Sequence, residues 1–308
     1  MGEIARRYGL VGVLLVEIAA LSLLTPDFFT VSNLTNVARQ ATLIGVLAVG
    51  LTFVILTAGI DLSVGSLVAF AGIVAASAMN WIDSGLIGIL VALGVGLASG
   101  LFSGFTVAKL QITPLIVTLA MLSMLRGAAL LYRDGAPVAI SNDFFRQLGG
   151  GFLGLVPIPV VLLMGTYLVG HWVLSSTTFG RHVYAIGGNQ TAARFAGIRV
   201  DRYIISVYAI SGLLAGLGAV VISGRLGTAT PLIGETLELN VIAAVIVGGT
   251  SLFGGVGTMW GTLTGVFIIA LLNNGLTLLN VSAFWQTFAT GAVLLAAVIM
   301  DRWVYGRR

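Results

Sequence analysis

The sequence has no cysteine, one lysine, two histidines and six prolines, and only 8% of its 308 residues are charged. Each scarcity excludes something. Without cysteine there is no disulfide scaffold. The one lysine, in Val107-Ala108-Lys109-Leu110, cannot complete a Gly-x-x-x-x-Gly-Lys-[Ser/Thr] phosphate loop, because that loop needs a lysine that reaches the phosphates. The chain therefore cannot hydrolyse ATP by itself. His171 and His182 stand in no metal-ligand spacing. No paired carboxylates and no nucleophile with its base appear, so an intramembrane enzyme lacks its catalytic pair. Soluble chains carry about a quarter charged residues, so a chain this poor in charge could not cover a water-facing surface.

What is present is apolar. Hydrophobic residues make up 58% of the chain and mean hydropathy is +1.08, which suits lipid as the solvent. Disorder is excluded by that content, and nucleic-acid binding by the scatter of the basic residues. A membrane-crossing helix needs roughly 20 mostly apolar residues. Candidates lie near 9–24, 41–58, 65–82, 85–108, 115–132, 156–175, 202–222, 237–249, 258–279 and 284–301. The expected fold is thus an all-α polytopic membrane protein, one transmembrane domain over 1–308. Of its ten or so helices, 237–249 and 65–82 are candidates for half-helices or kinked spans. The first span has no small-residue cleavage site before Pro26, so it reads as a span and not as a signal peptide. Ten spans put both termini on one side. That side collects Arg6, Arg7, Lys109, Arg181, Arg194, Arg199, Arg202, Arg302, Arg307 and Arg308. The other holds Arg39, Arg126, Arg133, Arg146 and Arg225, with Asp27, Asp83, Asp134, Asp143, Glu235 and Glu238. Basic residues favour the cytoplasm, so the termini and the 177–201 loop are expected there and the 133–155 loop outside.

The 42 glycines recur in small-xxx-small rows, Gly88-Ala92-Gly96-Gly100 and Gly212-Gly216, with Gly218 off the row. Lipid gives helices no hydrophobic reason to associate, so small residues that let backbones touch supply much of it. Two Gly-rich interruptions look alike, 57–66 after the second span and 247–258 after the eighth. They hint at an internal repeat whose breaks mark a transport path.

Inside the 177–201 loop lies a compact helix signal: Asn189 as N-cap, helix formers to Ala196, and Gly197 to close the end. So short a helix is unstable alone and must lean on something. Thr191, Ala192, Ala193 and Ala196, with Phe195 as a knob and Arg194 as a charge, suit docking into a groove on a cytosolic partner. An ordinary surface loop is the other reading. Asp61, with Ser63 and Ser66, sits in the first break, as an N-cap of the third span or as a gate. Asn273, Asn274 and Asn280 suit either solute hydroxyls or interhelical bonds. Glu17 and Arg126 lie within spans, paired to each other or, for Arg126, snorkelling outward. The outer stretches 133–155 and 223–236 are candidate docking surfaces for a soluble partner.

The run Gly59-Ile-Asp-Leu-Ser-Val-Gly-Ser66 resembles the signature of bacterial sugar ABC-importer permeases of the ribose, xylose and autoinducer type. Gly188-Asn189, Ala192-Ala193 and Gly197-Ile198 are similar to that family's cytoplasmic coupling segment. Gly248-Gly-Thr-Ser-Leu-Phe-Gly-Gly255 with Gly257-Thr258, then Leu272-Asn-Asn-Gly-Leu276, resembles its C-terminal signature. The matches keep the family's order over most of the chain. In the broader importer pattern Glu-Ala-Ala-xxx-Gly, Thr191 holds the Glu position, and the trailing Leu-Pro is absent. Docking is therefore expected to rely on shape and on Arg194.

The resemblance implies a permease subunit in the bacterial cytoplasmic (inner) membrane, paired with an identical or different permease. It also implies a cytosolic ABC ATPase that holds ATP and Mg, and a periplasmic or surface sugar-binding protein. The chain itself is expected to carry no cofactor, metal or catalytic residue, and to move a monosaccharide or similar polar solute by alternating access. An ion-coupled secondary transporter is the rival outside the family, though the spans hold few acids for it. A nucleoside importer is the rival within it.

Overall fold

A computed structural model describes residues 3–305. Its elements, in order, are α1 (Glu3–Leu24), α2 (Val31–Leu56), α3 (Val64–Ile82), α4 (Gly85–Lys109), α5 (Pro114–Tyr132), β1 (Val138–Ala139), α6 (Asp143–Gly150), β2 (Phe152–Leu153), β3 (Val156–Pro157), α7 (Ile158–Ser176), α8 (Thr178–Gly188), α9 (Gln190–Phe195), α10 (Val200–Leu226), β4 (Thr228–Ala229), α11 (Leu237–Val247), α12 (Met259–Leu278) and α13 (Ala283–Tyr305). Among the described residues, eight helices are long and apolar enough to cross a membrane: α2 to α5, α7, α10, α12 and α13. The shorter apolar stretches Gly9–Leu24 and Leu237–Val247 complete the ten expected segments. With 11 residues, or about 16 Å of rise, α11 spans only half of a hydrocarbon core roughly 30 Å thick. It is the half-helix. By contrast, α3 is continuous. Arg307 and Arg308, and the side chains of Arg6 and Arg7, lie outside the described residues.

Helix α10 is the hub, and α4 packs along it more extensively than any other pair. The expected glycine rows are the reason. A Cβ on Gly96 would strike the Gly212 carbonyl, and one on Gly212 would strike that of Gly96. Gly100 and Gly216 stand in the same way on the backbones of Tyr208 and Ala92. Gly88 instead faces Met79 and Phe145, and Gly218 faces Leu47 on α2. The most enclosed span is α2, and the most open is α13.

At the outer end the two candidate docking stretches are one structure. β1 pairs with β4 in the register Val138↔Ala229 and Ala139↔Thr228, while β2 and β3 form a hairpin. Asn142 caps α6 by accepting from the Phe145 amide at 3.1 Å, and Gly149 lies on the backbone of Val221, Gly224 and Arg225 in α10. The Gly149-Gly-Gly151 run is thus a close-packing feature of an ordered platform. At the opposite end, to which the charge bias assigns the cytoplasm, the 177–201 loop folds into two helices, α8 and α9, where the sequence predicts one.

Candidate coupling and gating site

Helix α9 has the caps its sequence predicts. The Asn189 side chain accepts from the Ala192 amide at 2.9 Å. At the other end the Gly197 amide donates to Arg194 and the Ile198 amide to Ala193, both at 3.0 Å. Gly197 takes φ +84, the left-handed turn that closes a Schellman motif and that favours glycine. Thr191, Ala192, Ala196 and Phe195 face solvent, Phe195 at 88% exposure. Ala193 does not: it is buried against the protein. Nor is Arg194 a free charge. Its Nη2 meets Asp201 Oδ1 at 2.7 Å, while Lys109 Nζ meets Asp201 Oδ2 at 2.9 Å. One carboxylate at the start of α10 thereby ties α9 to the end of α4. The exposed face of α9 carries Phe195 and the small residues, with the exposed Arg194 engaged in a surface ion pair to Asp201.

The first break, 57–63, is held from three sides. The Ile60 carbonyl accepts from Tyr208 at 3.1 Å and Thr118 at 3.3 Å. Asp61, only 2% exposed, accepts from the Ser63 amide at 3.0 Å, the Ser63 hydroxyl at 2.6 Å and the Ser211 hydroxyl at 2.9 Å. The cap reading of Asp61 is thereby refined. The helix begins after Ser63, and Asp61 forms a side-chain turn two residues outside it. Ser211 stands 11 residues into α10, about 17 Å along its axis. Asp61 thus lies deep in the bundle. The Ser66 hydroxyl bonds the Ser63 carbonyl at 3.0 Å.

The second break, 248–258, is anchored by a residue that the sequence reading passed over. Asp301, near the end of α13 and 5% exposed, accepts from Ser251 Oγ at 3.1 Å and the Leu252 amide at 3.0 Å. The two breaks meet: the Gly255 amide donates to the Leu56 carbonyl at 2.9 Å. Helix α8 closes the junction. Gly187 rests on the Leu56 carbonyl and beside the Gly255 amide, with no room for a Cβ. The Tyr184 hydroxyl donates to the Gly257 carbonyl at 2.8 Å. Burial pushes the Tyr184 phenol above its ordinary pKa, so it stays a neutral donor.

A family described as permease components of branched-chain amino acid transport systems matches residues 33–298. The chain belongs to that family. The permease is 44% identical over 292 residues to the ribose import permease RbsC of Escherichia coli K12, covering 94% of the permease and 91% of the relative. It is 41% identical to RbsC of Haemophilus influenzae over 295 residues, with the same coverage. Its identity to the L-arabinose permease AraH of Azospirillum brasilense is 40% over 307 residues, 99% and 90% of the two chains. No solved structure matches the permease.

The remaining expected residues of the permease lie between its helices. Asn274 and Asn33 exchange amide bonds of 2.7 and 3.1 Å between α12 and α2, and Asn273 donates to Asn240 of α11 at 3.0 Å. These amides are interhelical bonds, the second of the two readings their sequence allowed. Arg126 and Glu17 do not pair. The Arg126 guanidinium bonds the carbonyls of Pro231 and Ile233, and Glu17 has one carboxylate oxygen buried without a partner among the described residues. The signal for Asp301 was an acid at the inner end of the last span, one residue before Arg302, and nothing in the sequence joined it to Ser251.

Proposed function

We propose that the permease imports a monosaccharide of pentose size by alternating access in the cytoplasmic membrane. In this reading it works as one of two permease subunits, driven by a cytosolic ABC ATPase that holds ATP and Mg and fed by an extracytoplasmic sugar-binding protein. The relatives named for ribose and arabinose, matched over nearly their whole length, support the solute class. The observation that carries the mechanism is the seat of Gly187 on Leu56 and Gly255. ATP-driven closure displaces α9 through Phe195, Thr191 and Ala192. Asn189 and Gly197 hold α9 as a unit, while Ala193 and Arg194 fix it to the bundle. Helix α8 passes the displacement to both breaks at one point. Asp61, Ser63 and Ser66 keep the first break in register with α10, and Asp301 does the same for the second. Asn273 and Asn274 hold α12 as the breaks shift. The outer platform made by β1, β4 and α6 is where the binding protein docks.

Reconstitution tests this. Permease, ATPase and binding protein are combined in proteoliposomes, and uptake of radiolabelled D-ribose and L-arabinose is measured. Uptake is expected only with ATP and all three components. Uptake driven by an ion gradient without the ATPase would contradict the assignment.

A further inference from the structure

The chain between α10 and α11 does not stay at the outer surface. Arg126, whose guanidinium bonds the carbonyls of Pro231 and Ile233, stands 12 residues from Pro114 and six from Tyr132. That is about 18 Å from one end of α5 and about 9 Å from the other. Gly234 rests on the backbone of Gly65, near the start of α3, and the Glu238 carboxylate touches the same glycine. Gly72, seven residues or about 10 Å further along α3, lies against Ser223 and Ala229 at the outer end of α10. The turn 230–236 therefore dips roughly 10 Å beneath the platform, and half-helix α11 starts from there.

At that depth the segment is irregular and partly bare. Gly234 and Thr236 take φ +77 and +61, and Leu232, Glu235 and Thr236 are exposed. Non-helical backbone and carboxylates persist inside a membrane only where protein buries them or water reaches them. Among the described residues of this chain nothing buries these, so water is the medium that suits them. Beside them Glu238 is half-buried, with Oε2 lacking a hydrogen-bond partner among the described residues. Glu235 and Arg126 lie within its electrostatic reach. Oε2 of Glu238 is enclosed against Gly65, so a solute hydroxyl would donate to the other oxygen of this carboxylate, which only accepts hydrogen bonds when ionised.

We propose that residues 230–238 form the outward-facing wall of the solute path, and that Glu235 and Glu238 accept hydrogen bonds from the hydroxyls of a neutral polyhydroxylated solute. The choice of solute rests on the importer reading, whereas the demand for water does not. Arg126 is a positioning residue that holds the turn at this depth. The amides Asn273 and Asn274, already bonded to other amides, leave this role to the carboxylates.

The natural absence of cysteine allows single-cysteine variants without background. Glu235→Cys and Thr236→Cys are treated with a charged methanethiosulfonate reagent from the outer side. The control is Phe288→Cys, whose residue is 66% exposed on α13, five residues from its outer end. Reaction at least about tenfold faster than the control is expected, because a charged reagent needs water. Reaction no faster than the control overturns the proposal, placing the segment against lipid or sealed by a second copy. Glu235→Gln with Glu238→Gln is expected to lower uptake at least about tenfold, while ATPase stimulation by liganded binding protein stays within about twofold. Unchanged uptake, or parallel loss of that stimulation, overturns the solute-binding role, the latter marking a docking surface. Fast labelling in a permease that carries neither D-ribose nor L-arabinose supports the wet wall and faults only the pentose reading.

Discussion

The Gly255 amide donates to the Leu56 carbonyl at 2.9 Å, joining two helix breaks that lie some 200 residues apart in the chain. The bond makes the breaks one mechanical unit, and Gly187 of α8 bears on that unit at the same carbonyl. Each break is also pinned by a buried carboxylate, Asp61 in the first and Asp301 for the second. In the proposed mechanism motion enters at this one place and works against these two anchors.

Asp61 and Ser211 form the first anchor. A hydrogen bond to a charged group contributes about 1.5–3 kcal/mol, so Ser211→Ala and Asp61→Asn should each lower stability by an amount of that order. Uptake at normal expression should fall in both. In thermal unfolding of the purified protein the double variant should cost less than the sum of the singles, because both remove one interaction. Additive losses would show that the two residues act independently.

Asp301 is the second anchor. Asp301→Ala leaves the Ser251 hydroxyl and Leu252 amide without their acceptor, at about 1–3 kcal/mol for each stranded group. Uptake should fall more than the amount of folded permease recovered by gel filtration. Equal falls in both would mean that Asp301 only stabilises the fold.

The contact of α4 with α10 predicts a contrast within one helix. Gly96→Ala forces the backbones apart at Gly212, whereas Gly94 has open space around its α-carbon. Overpacking typically costs about 1–3 kcal/mol, so Gly96→Ala should lower the unfolding temperature and Gly94→Ala should not. A matching loss at Gly94 would contradict this packing.

These pairs show what the sequence could and could not reveal. Ten apolar segments, the glycine rows and the caps of α9 are local patterns, and each folds as its pattern dictates. Partners far apart in the chain leave no local mark. Lys109 reads as an isolated inner-side charge until Asp201, 92 positions away, is seen to hold both it and Arg194. Asn274 reads as a path residue until Asn33, 241 positions away, takes its amide. The descent of 230–236 was hidden for a similar reason. Its Pro, Gly and Glu content marks a surface loop, and only the Arg126 bonds and the contact with Gly65 show its depth.

Phe195, exposed on α9, should be the main docking contact. Phe195→Ala is expected to weaken ATPase association at least about tenfold, as loss of an aromatic anchor commonly does, without changing the unfolding temperature of the isolated permease. Asp201→Asn should have a smaller effect that shrinks as salt is raised, since exposed ion pairs contribute about 0.2–1 kcal/mol and are screened. Pull-down titration at two salt concentrations separates the two cases.

The most direct test of the coupling account is the number of solute molecules moved per ATP hydrolysed in proteoliposomes carrying Gly187→Ala. The added methyl group has no room between Leu56 and Gly255, so it should disturb the junction while leaving the docking surface on α9 intact. The account predicts that the ATPase still co-purifies and hydrolyses ATP, with transport per ATP falling at least about tenfold. An unchanged ratio, with ATPase and uptake both at wild-type levels, would contradict it.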